Sequence, residues 1–400
     1  MKKFTFFITF LFILNITINI NAQWVQVGPF NSMNIYSLAI KDSYIFAGAE
    51  VNGVFTSTNN GQNWTQTALN NQMVFALAAG SNFVFAGTGD VAHGIYITSN
   101  YGVNWTSSFV NNQSVSCIAV QNSNVFAGTP AGVVLHSTNN GQTWVETYLN
   151  AGNVEALLIK DSLIFAGTTW SGVYLSTNNG QNWIQDGLNN LMVTSFAFNG
   201  NNIYAGACSG NTALYLSTDN GGNWTPAGSF SQCVHAVALI NNNIIIGTQS
   251  PGIFVSTNNG QNWTQRNEGM GYINIRNLLI ANGYIFAGSS ITGLWRRLVS
   301  EIIGIKPISH EVPAEYRLSQ NYPNPFNPST SIEFDLPKSS LVKLVVYNML
   351  GREVATLVYE ELKPGSYEYE WNGSSFASGV YFYRLITEDF SQTKSMVLLK

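Results

Sequence analysis

The stretch STNNGQNW at residues 57–64 returns with little change along the chain. Each copy places a hydroxyl residue, amide or acidic residues and a glycine ahead of a tryptophan, and apolar runs stand on either side. Short apolar runs bounded by such turn formers predict strands joined by a tight hairpin. We call these segments the boxes; the others are STNNGQTW at 137–144, STNNGQNW at 176–183, STDNGGNW at 217–224, STNNGQNW at 256–263 and the variant TSNYGVNW at 98–105.

A second phrase sets the period of the repeat. IFAG at residues 45–48 recurs as VFAG, VFAG, IFAG, IYAG, IIIG and IFAG, always ending on glycine. The glycines are 39, 41, 39, 39, 41 and 41 residues apart. A unit of about forty residues that is rich in β-branched residues and turn formers predicts four short strands. The glycines are Gly48, Gly87, Gly128, Gly167, Gly206, Gly247 and Gly288.

The repeat predicts an all-β fold, a seven-bladed β-propeller closed by the N-terminal strand and followed by a small C-terminal β-sandwich. A solenoid would use the same repeat but would need capping units at both ends. Here the two ends complement each other. The seventh unit stops at GLWRR, residues 293–297, without a box, while AQWVQVG at residues 22–28 places Trp24 in register with the box tryptophans. We therefore expect Trp24 to close the ring, which removes free sheet edges.

The boxes resemble the Asp box, SxDxGxxW, of sialidase-like propellers, which in that family forms the hairpin between the third and fourth strands of a blade. The amide bonds its own loop, the glycine takes a positive φ, and the tryptophan packs against the blade. Asn replaces Asp in five boxes and is a poor calcium ligand, so we expect structural boxes. Their residues are Asn59, Gly61, Trp64, Asn100, Gly102, Trp105, Asn139, Gly141, Trp144, Asn178, Gly180, Trp183, Asp219, Gly221, Trp224, Asn258, Gly260 and Trp263.

The blades and boxes are also similar to the photosystem II stability and assembly factor family, which binds protein partners. That resemblance implies a binding module. The sialidase resemblance does not carry its activity, because that family holds a substrate carboxylate with three arginines from different blades. In this chain the propeller arginines all fall in the last two units, at Arg266, Arg276, Arg296 and Arg297.

The charge of the chain excludes two classes of partner. Charged residues make up 10% of the sequence, where about a quarter is usual. The formal net charge is −4 and no basic cluster occurs, so we expect neither nucleic acid nor an anionic membrane surface as a partner. No metal-ligand spacing or cofactor motif occurs, so we expect no metal and no cofactor, and the chain is expected to be a monomer. Cys208 and Cys233 can pair, but we expect them, with Cys117, to be small buried residues.

Residues 1–22 are typical of a secretory signal peptide. Lys2 and Lys3 precede an apolar run that is short for a membrane span, and the small residue Ala22 precedes the expected cleavage site. The mature chain is therefore predicted to begin at Gln23. No later stretch approaches about 18 consecutive apolar residues, so we expect no transmembrane segment in the mature chain.

The composition changes after residue 297. Residues 298–400 hold nine Lys plus Arg and twelve Asp plus Glu, against six and nine in the longer stretch 23–297. Residues 298–400 begin with an expected linker at 298–320 that contains prolines. Alternating segments with turn glycines then predict a β-sandwich over 321–400.

YPNPFNPST, YNMLGREV, PGSYEYEW, SGVYFYRL and MVLLK stand in the order of the type A C-terminal sorting domain of type IX secretion, which residues 321–400 resemble. The resemblance implies an exported bacterial protein that the type IX translocon recognises through this domain and that is then attached to the cell surface or released. An immunoglobulin-like stalk without a sorting role is the alternative interpretation. The motif residues are Pro323, Asn324, Pro325, Phe326, Asn327, Pro328, Gly351, Arg352, Gly379, Tyr381 and Lys400.

The rim opposite the boxes is the expected binding surface, because loops of several blades meet there. We expect a non-catalytic binding module for a glycan or a protein. A glycoside hydrolase that uses rim carboxylates stays open, although the short units offer no insertion to build a closed cleft, and so does an adhesive or structural surface protein. The candidate ligand-binding residues are Glu50, Asp90, Glu155, Trp170, His235 and Arg276.

Overall fold

The computed structural model describes residues 23–89, 94–109, 113–208, 212–240, 243–271, 273–309, 311–373 and 376–399. Over these residues the chain is all-β, with nine four-stranded antiparallel sheets and one four-residue helix. This confirms the predicted fold class at the level of all-β four-stranded sheets. Three predicted functional residues, Ala22, Asp90 and Lys400, lie outside the described residues.

Seven sheets come from residues 25–298, and each is a run of four consecutive strands except the seventh, which takes its outer strand from the N-terminus. We call these sheets the first to the seventh, in the order of their first strands β2, β6, β10, β14, β18, β22 and β26. The strands are β1 (Val25–Val27), β2 (Ile35–Lys41), β3 (Tyr44–Ala49), β4 (Val54–Ser57), β5 (Thr65–Gln66), β6 (Val74–Ala79), β7 (Val84–Thr88), β8 (Ile95–Thr98), β9 (Thr106–Phe109), β10 (Cys117–Gln121), β11 (Asn124–Gly128), β12 (Val133–Ser137), β13 (Val145–Tyr148), β14 (Val154–Lys160), β15 (Leu163–Thr168), β16 (Gly172–Ser176), β17 (Ile184–Gln185), β18 (Met192–Asn199), β19 (Asn202–Cys208), β20 (Leu214–Ser217), β21 (Thr225–Gly228), β22 (Val234–Ile240), β23 (Asn243–Thr248), β24 (Ile253–Ser256), β25 (Thr264–Gln265), β26 (Ile275–Ala281), β27 (Tyr284–Ser289) and β28 (Leu294–Leu298).

The repeated glycine is the point of closest approach between neighbouring sheets. The second strand of each sheet is buried along most of its length, which explains its continuous apolar sequence. A Cβ atom at Gly87 would lie 2.6 Å from Cγ1 of Val115, and one at Gly128 would lie 2.5 Å from Cγ1 of Val154. Only glycine allows the next sheet to pack this closely.

The first strands of successive sheets lie side by side. β2 contacts β6, and the contacts continue in order through β10, β14, β18, β22 and β26. β26 in turn contacts β2, where Asn277 Nδ2 donates a 2.7 Å hydrogen bond to the carbonyl oxygen of Ile35.

The N-terminal residues are held by the sixth and seventh sheets. β1 pairs antiparallel with β28, with Val25 opposite Arg296. Trp24 is 2% exposed, and its indole Nε1 donates to the carbonyl oxygen of Arg266 at 2.7 Å. Its backbone N–H donates to the carbonyl oxygen of Glu268 at 2.8 Å.

Each box forms the turn between the third and fourth strands of its sheet. In the first box the Ser57 hydroxyl donates to Asn59 Oδ1 at 3.0 Å and accepts the Gly61 N–H at 2.9 Å. Asn59 Oδ1 also accepts the Asn63 N–H at 2.9 Å. The other five boxes repeat these three contacts. The box side chains are therefore occupied by their own loops.

Four of the box tryptophans, Trp105, Trp144, Trp183 and Trp224, also connect their sheet to the preceding one. Trp183 Nε1 lies 3.3 Å from Thr147 Oγ1 of the preceding sheet, and Trp224 Nε1 donates to the carbonyl oxygen of Asp186 at 3.0 Å. Both partners stand three residues after the preceding box tryptophan, as Arg266 does for Trp24.

Cys208 and Cys233 form a disulfide between the end of β19 and the segment before β22. The prediction that all three cysteines are unpaired is wrong for these two, because neighbouring sheets bring their Cα atoms to 4.2 Å. Cys117 is free, and burial raises the pKa of its thiol to about 12.

The two remaining sheets form the C-terminal sandwich, with strand orders β29-β34-β31-β30 and β33-β32-β35-β36. Their inner faces bury large apolar side chains such as Phe334, Tyr369 and Tyr383. The elements are α1 (Val299–Ile302), β29 (Ile305–Ser309), β30 (Arg317–Leu318), β31 (Ser329–Leu336), β32 (Ser340–Asn348), β33 (Glu353–Leu362), β34 (Gly365–Asn372), β35 (Gly379–Ile386) and β36 (Ser391–Leu398).

The segment 298–320, which was expected to be a linker, contains α1, β29 and β30. β29 pairs with β34 of the sandwich. Ile302 and Ile305 are buried in an apolar cluster that also holds Ile253 and Val255 of the sixth sheet. The sandwich thus packs directly on the sixth and seventh sheets, because the apolar run in this segment gains a partner on each side.

The proline-rich part of the sorting motif lies along β36. Phe326 is 2% exposed, and its N–H donates to the carbonyl oxygen of Val397 at 2.9 Å. The side chain of Asn324 accepts the Val397 N–H at 2.9 Å. Gly351 and Arg352 lie at the turn between β32 and β33.

Candidate binding site

The first strand of most sheets carries an extra residue near its start. In six sheets the strand register shifts by one residue at this position, which is a β-bulge, and in the third sheet Ser116 holds the equivalent place just before β10. A bulge turns its side chain away from the regular pleat, and bulges often lie beside functional sites. We call these the bulge residues; they are Tyr36, Phe75, Ser116, Glu155, Thr194, His235 and Arg276.

The bulge residues differ in every sheet, while their surroundings repeat. The preceding residue is always valine or isoleucine and is fully buried, at Ile35, Val74, Val115, Val154, Val193, Val234 and Ile275. Packing therefore constrains the neighbouring position in every unit and leaves the bulge position free to carry seven different side chains. A variable position within a constant frame is the pattern expected of a ligand-contacting surface.

Four neighbouring sheets supply the walls of one pocket of about 280 Å³. We call it the four-sheet pocket; it is lined by Tyr36, Phe75, Ser116, Pro130, Asn153 and Glu155. Three of the lining residues come from bulges of the first, second and fourth sheets. The volume lies near the lower limit for small-molecule sites, so the pocket suits a single side chain or one small ring.

Two aromatic rings and a carboxylate form one side of this pocket. The ring centroids of Tyr36 and Phe75 are 5.2 Å apart, at an interplanar angle of 58°. The Tyr36 hydroxyl donates to Glu50 Oε1 at 3.3 Å, and Asn34 Nδ2 donates to Glu50 Oε2 at 2.6 Å. Burial and the nearby Glu50 carboxylate raise the pKa of Tyr36, so this phenol stays neutral and its ring is held in place.

The other side of the pocket carries Glu155. The Thr169 hydroxyl donates to Glu155 Oε1 at 2.7 Å. The next residue, Trp170, is 67% exposed and has a φ of +68°. A positive φ is rare for a bulky residue, and a large exposed aromatic on a rim is a common anchor for partners.

His235 and Arg276 are the bulge residues of the sixth and seventh sheets, and the seventh sheet adjoins the first, so the Arg276 charge also acts on Tyr36. Burial, and secondarily the Arg276 charge, lower the pKa of His235 to about 4, so its imidazole is neutral at physiological pH. Within the described part of the chain, His235 Nε2 has no hydrogen-bond partner. Arg276 is exposed and its Nε donates to Ser290 Oγ at 2.9 Å.

Two bulge residues have structural contacts of their own. The Ser116 hydroxyl donates to the carbonyl oxygen of Val154 at 2.5 Å, and the Thr194 hydroxyl donates to that of Val234 at 2.6 Å. Each bond ties a sheet to the one that follows.

The structure places the candidates named from sequence in two groups. Glu155 lines the four-sheet pocket, Glu50 contacts its Tyr36 wall, and Trp170 is one residue from the Thr169 that bonds Glu155. His235 and Arg276 are bulge residues outside the pocket lining. Asp90 lies outside the described residues.

Sequence reasoning missed four bulge residues, namely Tyr36, Phe75, Ser116 and Thr194. A signal for them was present, because each bulge residue stands twelve positions before the repeated glycine of its unit. Aligning the units on that glycine brings the seven different residue types into one column.

A larger groove of about 420 Å³ lies beside the boxes of the second and third sheets. Much of its polar lining is already bonded, while Ser107 Oγ has no partner among the described residues. Asn100 Oδ1 accepts the Asn104 N–H at 2.9 Å, and Ser108 Oγ accepts Trp144 Nε1–H at 3.1 Å. We therefore attribute this groove to the packing of two hairpins.

The described residues contain no group of three or more His, Cys, Asp or Glu side chains placed to hold a metal ion. The same part of the chain has no helix with the length and apolar character needed to cross a membrane.

Comparison with known proteins identifies the C-terminal part. Residues 320–399 match the family of secretion system C-terminal sorting domains. This match supports a type IX sorting domain here and, with it, export towards the cell surface or the exterior. No curated protein matches the chain.

Solved structures support a β-propeller fold for the preceding part. YCF48 bound to D1 peptide is 16% identical, with a TM-score of 0.56 over 70% of this chain and 97% of its own. YCF48 from Cyanidioschyzon merolae is 11% identical, with a TM-score of 0.57 over 69% and 98%. The WD40 propeller domain of Doa1 is 13% identical, with a TM-score of 0.55 over 69% and 95%. At these identities the likeness concerns the fold alone.

Proposed function

We propose that residues 23–297 form a closed seven-bladed propeller that binds a glycan or a protein, without catalysis, at the rim opposite the boxes. The observation that supports this proposal is the set of bulge residues, which are seven different side chains in one constant frame, four of which line a shared pocket. Packing does not dictate the residue at this position, so the seven side chains are available to contact a ligand.

Three contacts support closure of the ring. β1 pairs with β28, β26 contacts β2, and Trp24 bonds Arg266 as four of the box tryptophans bond the preceding sheet. The boxes, read as Asp-box-like hairpins of a sialidase-like type, serve as structural turns in this proposal. Their hydroxyl and amide groups are consumed by loop contacts.

The proposed route of export depends on two segments, residues 1–22 and the C-terminal domain. In our proposal residues 1–22 direct the chain across the inner membrane and are removed before Gln23. The C-terminal domain is then the part that the type IX translocon recognises, so the rim is presented at the cell surface or outside the cell. The propeller and the sorting domain are assigned to residues 23–297 and 321–400.

Binding is favoured over hydrolysis by the composition of the pocket. One of its six lining residues is a carboxylate, whereas two-carboxylate hydrolysis places both groups at the substrate. Glu50 stands behind Tyr36, to which it is hydrogen-bonded. A structure of similar fold, YCF48, has been solved with a bound peptide, which makes a protein segment a reasonable ligand for this rim as well.

To test this, the chain from residue 23 to 400 is incubated with a panel of insoluble polysaccharides and with immobilised surface proteins of the producing bacterium. Retention of the chain on each material and release of reducing ends are both measured. Trp170→Ala should lower retention by about tenfold, since an exposed aromatic anchor is lost. Tyr148→Ala is the matched control, because Tyr148 is 62% exposed but lies on an outer strand.

Retention that Trp170→Ala removes and Tyr148→Ala does not would support the rim as a binding surface. Release of reducing ends that Glu155→Gln abolishes would replace our proposal with a hydrolase. Equal behaviour of both aromatic variants would overturn the rim assignment and leave an adhesive or structural scaffold.

A further inference from the structure

We infer that the four-sheet pocket binds a positively charged side chain, the guanidinium or ammonium group of a partner protein. This inference rests on the proposed function, since it names the ligand class for the same rim. It draws on the charge balance, the aromatic wall and the size of the pocket.

Two carboxylates contribute negative charge to the pocket, while the Arg276 charge of the adjoining seventh sheet acts on its Tyr36 wall without an ion pair to either carboxylate. Glu155 lines the pocket and Glu50 stands directly behind Tyr36, and neither carboxylate has an ion pair within the described part of the chain. By contrast, three other carboxylates of the propeller are paired, Asp42 with Lys41, Asp161 with Lys160, and Glu268 with Arg297. A ligand cation would supply the missing partner.

Hydrogen bonds leave part of the Glu155 carboxylate available. Thr169 bonds Oε1 from one side and so fixes the orientation of the group. A carboxylate accepts at two oxygens, and no described residue donates to Oε2, which can therefore take a charge-assisted bond from a ligand. None of the six lining residues is a cation that would repel such a ligand.

The aromatic wall favours the same ligand. The faces of aromatic rings are electron-rich and attract guanidinium and ammonium groups placed over them. Tyr36 and Phe75 meet at an angle of 58°, so their two faces form a corner of the pocket rather than a flat stack. The Tyr36 hydroxyl donates to Glu50, which holds one face of that corner in a fixed orientation.

Size and surroundings indicate that the cation belongs to a protein. A pocket of about 280 Å³ has room for one side chain and little more. Exposed apolar side chains stand on the loops of the same rim, with Val51 at 53%, Trp170 at 67% and Ile291 at 68% exposure. An exposed apolar surface around the negatively charged four-sheet pocket suits a protein segment with a basic residue at its centre.

The experiment titrates the chain from residue 23 to 400 with Nα-acetyl-arginine methylamide and its uncharged isostere Nα-acetyl-citrulline methylamide, followed by saturation-transfer NMR. We expect the arginine compound to bind in the millimolar range and the citrulline compound about fivefold more weakly. Glu155→Gln should weaken the arginine compound by about fivefold and leave the citrulline compound unchanged.

Asp161→Asn is the matched control, because it removes a carboxylate at the far end of β14 from the pocket. It should leave both affinities within about twofold, and circular dichroism confirms that each variant is folded. Equal affinity for the two compounds, or an arginine affinity that Glu155→Gln does not change, would overturn the inference.

The two proposals fail in different ways. If a polysaccharide or surface protein is retained through Trp170 while the arginine compound does not bind, the cation inference falls and the binding module stands. If neither the panel nor the arginine compound binds, both proposals fall together.

Discussion

Replacing Trp24 with alanine tests whether residues 24–27 hold the seventh sheet together. The indole is 2% exposed and lies in the apolar cluster with Ile275, Ile285 and Ala287 of the seventh sheet. Its Nε1 donates to the carbonyl oxygen of Arg266, 242 residues away in sequence. The substitution removes both the packing and the bond, and leaves a cavity at the junction between the sixth and seventh sheets.

Trp24→Ala is expected to lower the free energy of unfolding by a large amount. Truncating a fully buried tryptophan costs about 3–5 kcal/mol, which includes the lost transfer free energy and the cavity. The lost hydrogen bond contributes about 1 kcal/mol of this, since the Arg266 carbonyl then has no protein donor at that position. Urea unfolding of the chain from residue 23 to 400, followed by tryptophan fluorescence and circular dichroism, measures the change in free energy of unfolding.

Val25→Ala is the control on the same strand. Val25 is 51% exposed, so its truncation should change the free energy of unfolding by less than about 0.5 kcal/mol. Deletion of residues 23–28 should cost at least as much as Trp24→Ala, because it also removes the pairing of β1 with β28. A Trp24→Ala protein as stable as the Val25→Ala protein would refute closure by the N-terminal strand.

Three further outcomes can be measured by the same unfolding assay. Gly128→Ala should destabilise the chain by about 2 kcal/mol, because the new Cβ would lie 2.5 Å from Val154 Cγ1. Burial, and secondarily a neighbouring carboxylate, raise the pKa of Asp186 to about 6, so the folded state holds its proton more tightly than the unfolded state. The resulting stability is complete below about pH 4 and is lost as the pH rises through 6. Asp186→Asn should therefore raise the free energy of unfolding by about 1 kcal/mol at pH 7.5, after discounting for partial exposure, and change little at pH 4; an equal gain at both pH values would contradict this. Cys208→Ser should cost about 3 kcal/mol under oxidising conditions, as expected for a loop of 25 residues, and far less under reducing conditions, where the unsubstituted chain has lost the same disulfide.

The periodic parts of the fold could be predicted from sequence because the same local interactions recur. A repeated glycine and two apolar runs mark every unit, a hairpin box marks six of the seven, and the structure has a four-stranded sheet for each unit. The pairing of Cys208 with Cys233 could not be predicted, since it depends on how close two neighbouring sheets come. The same holds for residues 298–320, whose apolar side chains become ordered only against the surfaces on either side.

The candidate site was predictable in part. Acidic and aromatic residues in the rim loops drew attention to Glu50, Glu155 and Trp170. Tyr36 and Phe75 did not stand out, because an aromatic residue within an apolar strand is ordinarily a core residue. The bulge that turns them towards the pocket is a feature of backbone register, which a pattern of residue types does not report.

The pairing of β1 with β28 has a consequence for the order in which the chain acquires its structure. Residues at the N-terminus leave the ribosome first, yet their partners are among the last residues before the sorting domain. Bringing together Val25 and Arg296, which are 271 residues apart in sequence, costs about 5 kcal/mol of loop-closure entropy in an unfolded chain, but the cost falls once the intervening sheets have formed and their ends already lie close. β1 therefore stays unpaired until β28 is available, and the seventh sheet is completed after the other six sheets of residues 25–298. A chain cut short at any point before residue 294 would keep an unpaired strand at its start, which marks an incomplete product for proteolysis or aggregation.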